Sequence, residues 1–105
     1  MALVFDLSKV VGFEWDKGNL NKNRLKHNVD PKECEELFYN KPLLISSDKA
    51  HSQVEERFKA LGQTSNGRLI LIAFTVRGGL IRVISARDRN KKEREIYQNL
   101  EDKNL

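Results

Sequence analysis

Two glycine turns bracket the middle of this chain and leave it little freedom of fold. Asn66-Gly67 and Gly78-Gly79 stand at either end of the apolar run Leu69-Ile70-Leu71-Ile72-Ala73-Phe74-Thr75-Val76, and Leu80-Ile81-Arg82-Val83-Ile84-Ser85-Ala86-Arg87 follows. Asn-Gly and Gly-Gly supply the positive φ angles of tight hairpin loops, so the segment predicts three consecutive antiparallel strands. The apolar run has strand length, well short of the ~20 residues of a membrane-spanning helix. Arg77, Arg82 and Arg87 lie in or beside these strands. A guanidinium there needs either a carboxylate partner or an anion facing the sheet, and phosphate is the usual candidate.

Two-residue loops at both turns set Ser65 against Arg68 and Arg77 against Leu80. The ladders then place Glu56 opposite Arg77, Phe58 opposite Thr75, and Thr75 opposite Arg82. Because side chains alternate, Glu56, Phe58, Thr75, Arg77 and Arg82 are expected on one face. Arg57, Leu61, Ile72, Phe74, Val76, Ile81 and Val83 fall on the other, which is the more apolar and is expected to pack against helices. A one-residue bulge at either turn would exchange the faces.

Upstream, Val10 to Trp15 alternates as an edge strand does. Asp16 occupies an N-cap position, Leu20, Arg24 and His27 fall near helical spacing, and Asn28 can end that helix. Asp30-Pro31 followed by Glu33 marks a second helix start, with Cys34, Leu37 and Phe38 as its buried stripe. Pro42 blocks continuation, Leu43-Leu44-Ile45 reads as a short strand or turn entry, and Ser46 to Ser52 reads as a polar loop. Asp88 to Leu100 predicts a last helix, weakly held through Ile96 and Leu100 at i,i+4. The expected class is α+β, with two N-terminal helices packed on a mainly antiparallel sheet and a C-terminal helix. The 105 residues are enough for one domain and one core, with residues 1–9 and 101–105 as ends that fray.

The net charge of +4 is unevenly spread. Asp16 to His27 carries +3, Asp30 to Glu56 carries −4, and Gly67 to Tyr97 carries +5. A positive face of this kind attracts nucleic acid, or an acidic protein that competes with it. The single cysteine, Cys34, excludes an internal disulfide, and its place in a helical pattern reads as a buried, inert thiol. The first residues lack a secretory pattern, so a cytoplasmic setting without membrane attachment is expected.

Glu56, Arg77 and Arg82 are the residue types that metal-free RNA cleavage uses. A carboxylate or imidazole takes the proton from a ribose 2′-hydroxyl while guanidiniums stabilise the phosphorane, which restricts cleavage to RNA and leaves 2′,3′-cyclic phosphate and 5′-hydroxyl ends. The same residues also make a cross-strand Glu56–Arg77 ion pair, worth ~0–1 kcal/mol when exposed, and both readings stand at this point. His27 reads either as a cation at a helix C-terminus or as a site residue, and His51 lies in the polar loop ahead of Glu55-Glu56-Arg57. No histidine or cysteine spacing fits a zinc site, so no metal or other cofactor is expected.

Phe13-Glu14-Trp15-Asp16, Asn23, Lys26-His27-Asn28-Val29, Glu56-Arg57-Phe58, Gly62, Gly67-Arg68, Thr75, Arg77, Ile81-Arg82-Val83-Ile84-Ser85-Ala86-Arg87, Glu93-Arg94 and Tyr97 occur in an order that resembles the BrnT toxin family. The match runs from Phe13 to Tyr97. The resemblance implies a RelE-like fold and a type II toxin–antitoxin ribonuclease that inhibits translation. It implies a BrnA-like antitoxin with a ribbon-helix-helix segment, and contact with operator DNA only through that complex. Lys26, His27, Glu56, Arg77 and Arg82 become the expected catalytic residues. Glu56 would be base or orienting carboxylate, the arginines phosphate clamps, and Lys26 or His27 the proton donor. Arg57, Arg68, Arg87 and Tyr97 are the expected RNA-binding residues, Arg87 and Tyr97 equally serving to pin the last helix. The alternative is a non-catalytic module that binds antitoxin or nucleic acid in operon repression.

Overall fold

The computed structural model describes residues 6–20, 27–51 and 54–103. At its centre lies a five-stranded sheet of order β1-β5-β4-β3-β2, formed by β1 (Gly12–Phe13), β2 (Leu44–Ser47), β3 (Phe58–Gln63), β4 (Leu69–Arg77) and β5 (Leu80–Asp88). The strands from β2 to β5 pair antiparallel, and β1 joins the β5 edge in parallel. The helices α1 (Pro31–Glu36) and α2 (Lys91–Lys103) complete the α+β architecture. Residues 17–20 are helical, as is residue 27; residues 21–26 of the expected first helix lie outside the described residues.

Local chemistry accounts for the element boundaries. Asp16 caps the 17–20 turn by accepting from the Gly18 N–H at 2.8 Å, and Asn28 takes the left-handed conformation (φ 52°) where the helix was expected to stop. Asn19 is buried beneath that turn. Its amide donates to the carbonyls of Glu14 and Val83, both at 3.0 Å, and its oxygen accepts from the Asp16 N–H at 2.8 Å, which ties the turn to β5. Pro31 opens α1, where the Glu33 carboxylate accepts from the Asp30 N–H at 3.1 Å.

The β4–β5 turn follows the expected register: Gly78 and Gly79 both have positive φ, Arg77 faces Leu80, and Thr75 faces Arg82. The β3–β4 loop corrects it. Thr64 N–H donates to the Arg68 carbonyl at 2.8 Å and Gly67 N–H to the Thr64 carbonyl at 2.9 Å, so the loop holds Ser65, Asn66 and Gly67. Gly67 has φ 84° while Asn66 keeps negative φ, the pattern of a three-residue hairpin with a left-handed glycine. Phe58 therefore faces Phe74 instead of Thr75. The one-residue shift moves Phe58 into the core, takes Glu56 off the arginine face, and brings Arg57 onto it.

A second irregularity lies in β5. The pairing passes from Phe74–Val83 to Ala73–Ser85, leaving Ile84 as the extra residue of a β-bulge. Alternation restarts there, so Arg82 and Arg87 share a face despite their odd spacing.

On the other face, Ile70, Ile72 and Phe74 of β4 and Ile81 and Val83 of β5 pack against Val29, Cys34 and Leu37. The Phe74 ring meets Phe38 edge-on at 5.5 Å and stacks on Phe58 at 5.4 Å. Gly62 admits this layer, since a Cβ there would meet Leu43 at 3.1 Å and Leu37 at 3.2 Å.

Two expectations change beyond β3. Ser46 and Ser47 belong to β2, paired with Lys59 and Phe58, and residues 49–51 form a 3-10 turn, so the polar segment is only partly loop. An edge strand draws its order from backbone pairing and can carry exposed serines. The last helix runs to Lys103 and is pinned by Tyr97, which is buried and donates its hydroxyl to the Pro42 carbonyl at 2.6 Å. Ile96 is 42% exposed and is not the anchor.

Burial pushes the Cys34 thiol up to about 12. Native protein should thus react with a disulfide reagent at pH 8 only as fast as it unfolds; immediate reaction would contradict the packing. Asn19→Ala should cost about 1–3 kcal/mol in urea unfolding, because it strips hydrogen bonds from buried backbone carbonyls. A loss under a few tenths of a kcal/mol would mean that water satisfies them.

Candidate nucleic-acid interface on the sheet

The sheet face turned away from α1 carries the basic side chains. Continuing the β3–β4 ladder, Arg57, Thr75 and Arg82 lie in one row across three strands. Lys59, Ala73 and Ser85 form the next row and Leu61, Leu71 and Arg87 the third. A hollow of about 340 Å³ opens over the bulge, lined by Asp48, Arg57, Lys59, Ile84, Ser85 and Arg87. Thr75 is buried, and its hydroxyl donates to the Glu56 carbonyl at 2.7 Å, locking the chain ahead of β3 to β4.

At one end of this face the arginines are held by carboxylates. Arg82 donates to Glu14 at 3.0 Å and to both oxygens of Asp16 at 2.7 and 3.1 Å. Arg77 makes a two-pronged contact with Glu55 at 3.0 and 3.1 Å and approaches Glu14 at 3.9 Å. These hydrogen bonds hold the Asp16 and Glu55 carboxyls below their ordinary range. Glu14 is thus the carboxylate that reaches both guanidiniums.

The expected site residues are only partly brought together. Arg77 and Arg82 are neighbours and Arg57 joins their face. Glu56 does not: alternation points it with Phe58, and the partner of Arg77 is Glu55. His27 sits at the far end, where its carbonyl accepts from Arg68 at 3.3 Å. Arg68 immediately precedes β4 and Arg77 ends it, and at ~3.3 Å per residue this separates them by roughly 30 Å. Lys26 lies outside the described residues, as does the His51 side chain. Arg68 is occupied by Asp88 at 2.7 Å, Glu33 at 3.1 Å and the Asn28 carbonyl at 2.9 Å. Arg87 grips Glu93 of α2 at 2.9 and 3.0 Å, and Tyr97 of the same helix is buried and bonded to the Pro42 carbonyl, so both anchor it.

Glu14, Asp16 and Glu55 are the site residues that sequence reasoning passed over. Asp16 was legible as a helix cap, and it does cap; its second role depends on β1 lying beside β5. Among the described residues no group of three or more histidine, cysteine, aspartate or glutamate side chains is arranged to hold a metal ion, and no helix is long and apolar enough to cross a membrane.

This arrangement of a five-stranded sheet, a basic outer face and an α2 clamped by Arg87 occurs in a chain whose residues 15–93 match the family model described as ribonuclease toxin, BrnT, of type II toxin-antitoxin system. The match spans well over half of the sequence, and the chain belongs to the BrnT family. No curated protein matches it.

The Arg87 and Arg68 hydrogen bonds hold Glu93 below its ordinary 4.5 and Asp88 below its ordinary 3.8. Both carboxyls are depressed in the folded state, so their stabilisation is full above those ordinary values and disappears as pH falls through the lower folded ones. Hydrogen exchange should show α2 losing protection below pH 4.5 earlier than β4. Glu93→Gln should weaken α2 already at neutral pH and flatten this dependence; an α2 indifferent to both changes would show that the ion pair holds nothing.

Proposed function

We propose that this chain is an active toxin with a RelE-like fold, a metal-independent endoribonuclease of cytoplasmic RNA whose site is the Glu14–Arg77–Arg82 cluster. The observation that carries the reading is Glu14, within reach of two guanidiniums that face away from the core. In this reading a scissile phosphate displaces part of the carboxylate contacts and is clamped by Arg77 and Arg82. Glu14 takes the 2′-hydroxyl proton, the 2′-oxygen attacks phosphorus, and the 5′-oxygen leaves and takes a proton from water. Charge on the phosphorane falls between two fixed cations. Asp16 and Glu55 act as positioning residues, each holding one arginine. Arg57, Lys59 and Arg87, around the hollow, extend the contact along the RNA backbone. The neutralising partner in this reading is a BrnA-like antitoxin whose ribbon-helix-helix segment carries the complex to operator DNA.

A second reading has an observation of its own. Two guanidiniums face three carboxylates in the cluster, which leaves it net negative and favours a purely structural and binding role.

Purified antitoxin-free protein incubated with a defined RNA in EDTA separates the two. Wild type should leave cyclic phosphate ends. Arg77→Ala/Arg82→Ala and Glu14→Gln should each slow cleavage by ~10²-fold or more while circular dichroism stays native. Glu56→Ala should cut near the wild-type rate; its inactivity beside an active Glu14→Gln would move the base back to Glu56. RNA left intact by free protein and in translating ribosomes would sink the catalytic reading and leave the binding one.

A further inference from the structure

A second cleft lies away from the Glu14–Arg77–Arg82 cluster. It measures about 580 Å³ and opens between the β3–β4 hairpin, the end of β5 and α2, with Arg68, Arg89, Arg94 and Tyr97 and the carboxylates Asp88 and Glu101 among its lining. Its arginines differ in kind. Arg68 is saturated by Glu33 and Asp88, as Arg77, Arg82 and Arg87 are by their own carboxylates. Neither Arg89 nor Arg94 makes a side-chain hydrogen bond or an ion pair within 4 Å among the described residues. Arg89 merely helps lower the Asp88 carboxyl from a distance.

A guanidinium carries five donors in a fixed fork and loses little by staying in water, but two such forks converging on one cleft are suited to an anion with several oxygens. Both arginines rise from hydrogen-bonded backbone. The Arg89 N–H donates to the Leu69 carbonyl at 3.1 Å, and the Arg94 N–H to the Asn90 carbonyl at 3.1 Å inside a reciprocal Asn90–Glu93 cap. The floor is rigid, because Tyr97 is buried and bonded to Pro42. Arg82, near the start of β5, and Arg89, just past its end, are ~23 Å apart at ~3.3 Å per residue, a span that several nucleotides of single-stranded RNA bridge.

We infer that this cleft is a second phosphate-binding subsite, in which Arg89 and Arg94 hold the RNA backbone several nucleotides from the bond addressed by Arg77 and Arg82. The subsite rests on RNA being the ligand, as in the proposed function, and adds the path the strand takes. Arg89 and Arg94 add affinity here, since the cluster offsets its own charge with carboxylates whereas these two guanidiniums have no carboxylate within 4 Å among the described residues.

The test uses a short single-stranded RNA methylated at every 2′-oxygen, which 2′-attack cannot cleave, with binding followed by fluorescence anisotropy over a series of salt concentrations. Arg89→Ala/Arg94→Ala should weaken binding about tenfold at low salt and make the slope of log K against log salt less negative by about 1.4, two phosphate contacts at ~0.7 each. Lys32→Ala/Lys41→Ala, the same loss of net charge at exposed lysines elsewhere, should leave the slope unchanged. Equal slopes for wild type and the arginine variant would overturn the subsite, as would unchanged RNA binding beside weakened antitoxin binding, which would make the cleft a seat for an acidic protein segment. The cleavage assay is independent of this one: a changed slope without RNA cleavage leaves the subsite standing and removes the catalytic reading, and cleavage with an unchanged slope does the reverse.

Discussion

Guanidinium–carboxylate pairing on and beside the β4–β5 hairpin determines how the rest of the molecule is oriented. Arg82 takes hold of Glu14 and Asp16, fixing the chain that leaves β1. Arg77 fixes the segment ahead of β3 through Glu55, Arg68 fixes α1 through Glu33, and Arg87 fixes α2 through Glu93. Each pair is at least partly exposed and adds little to stability. Stability comes from the opposite face, where Phe74 and its neighbours exclude water. The pairs contribute direction, because a two-pronged contact accepts one relative orientation of its partners.

How much of this was legible from the sequence depended on the range of the interaction. Asp16 as a cap, Asn28 as a stop, Pro31 opening a helix and Gly78-Gly79 as a two-residue turn are local choices, written in a few adjacent residues. The Asn66-Gly67 loop was also local but ambiguous, since Asn-Gly serves both a two-residue turn and the end of a three-residue one. The choice between them decided whether Glu55 or Glu56 meets Arg77. Glu14 and Asp16 beside Arg82 were beyond reach, because that contact requires β1 to pair parallel with the far edge of the hairpin, a long-range connection with no sequence signal in two residues of strand. Tyr97 was an RNA-binding candidate through the resemblance and otherwise a pin of the last helix beside Ile96; the structure buries Tyr97 and leaves Ile96 exposed.

The basic character of the sequence and the electrostatics of the folded surface are different quantities. Summing charge along Gly67 to Tyr97 suggests a uniformly attractive face, but folding brings acids from three other segments, at Glu14 and Asp16, Glu33 and Glu55, onto the same arginines. What remains to draw a polyanion is set by the cations without such partners. At the cluster an incoming phosphate must compete with carboxylates already in place; at Arg89 and Arg94 it meets guanidiniums with no carboxylate within 4 Å among the described residues.

The bulge at Ile84 has a consequence for how β5 can change. On one side of it the residues that must stay apolar are odd-numbered, Ile81 and Val83; on the other the buried residue is the even-numbered Ala86. The strand therefore obeys two alternations half a period out of phase, joined at one residue. Such a phase slip lets a single strand show a basic side chain at both ends of one surface while spending only one residue on the offset, and the half-buried Ile84 itself becomes part of the hollow's wall. Taking Ile84 into the regular ladder, with the bulge smoothed out, would leave every side chain chemically intact and turn Arg87 toward the core.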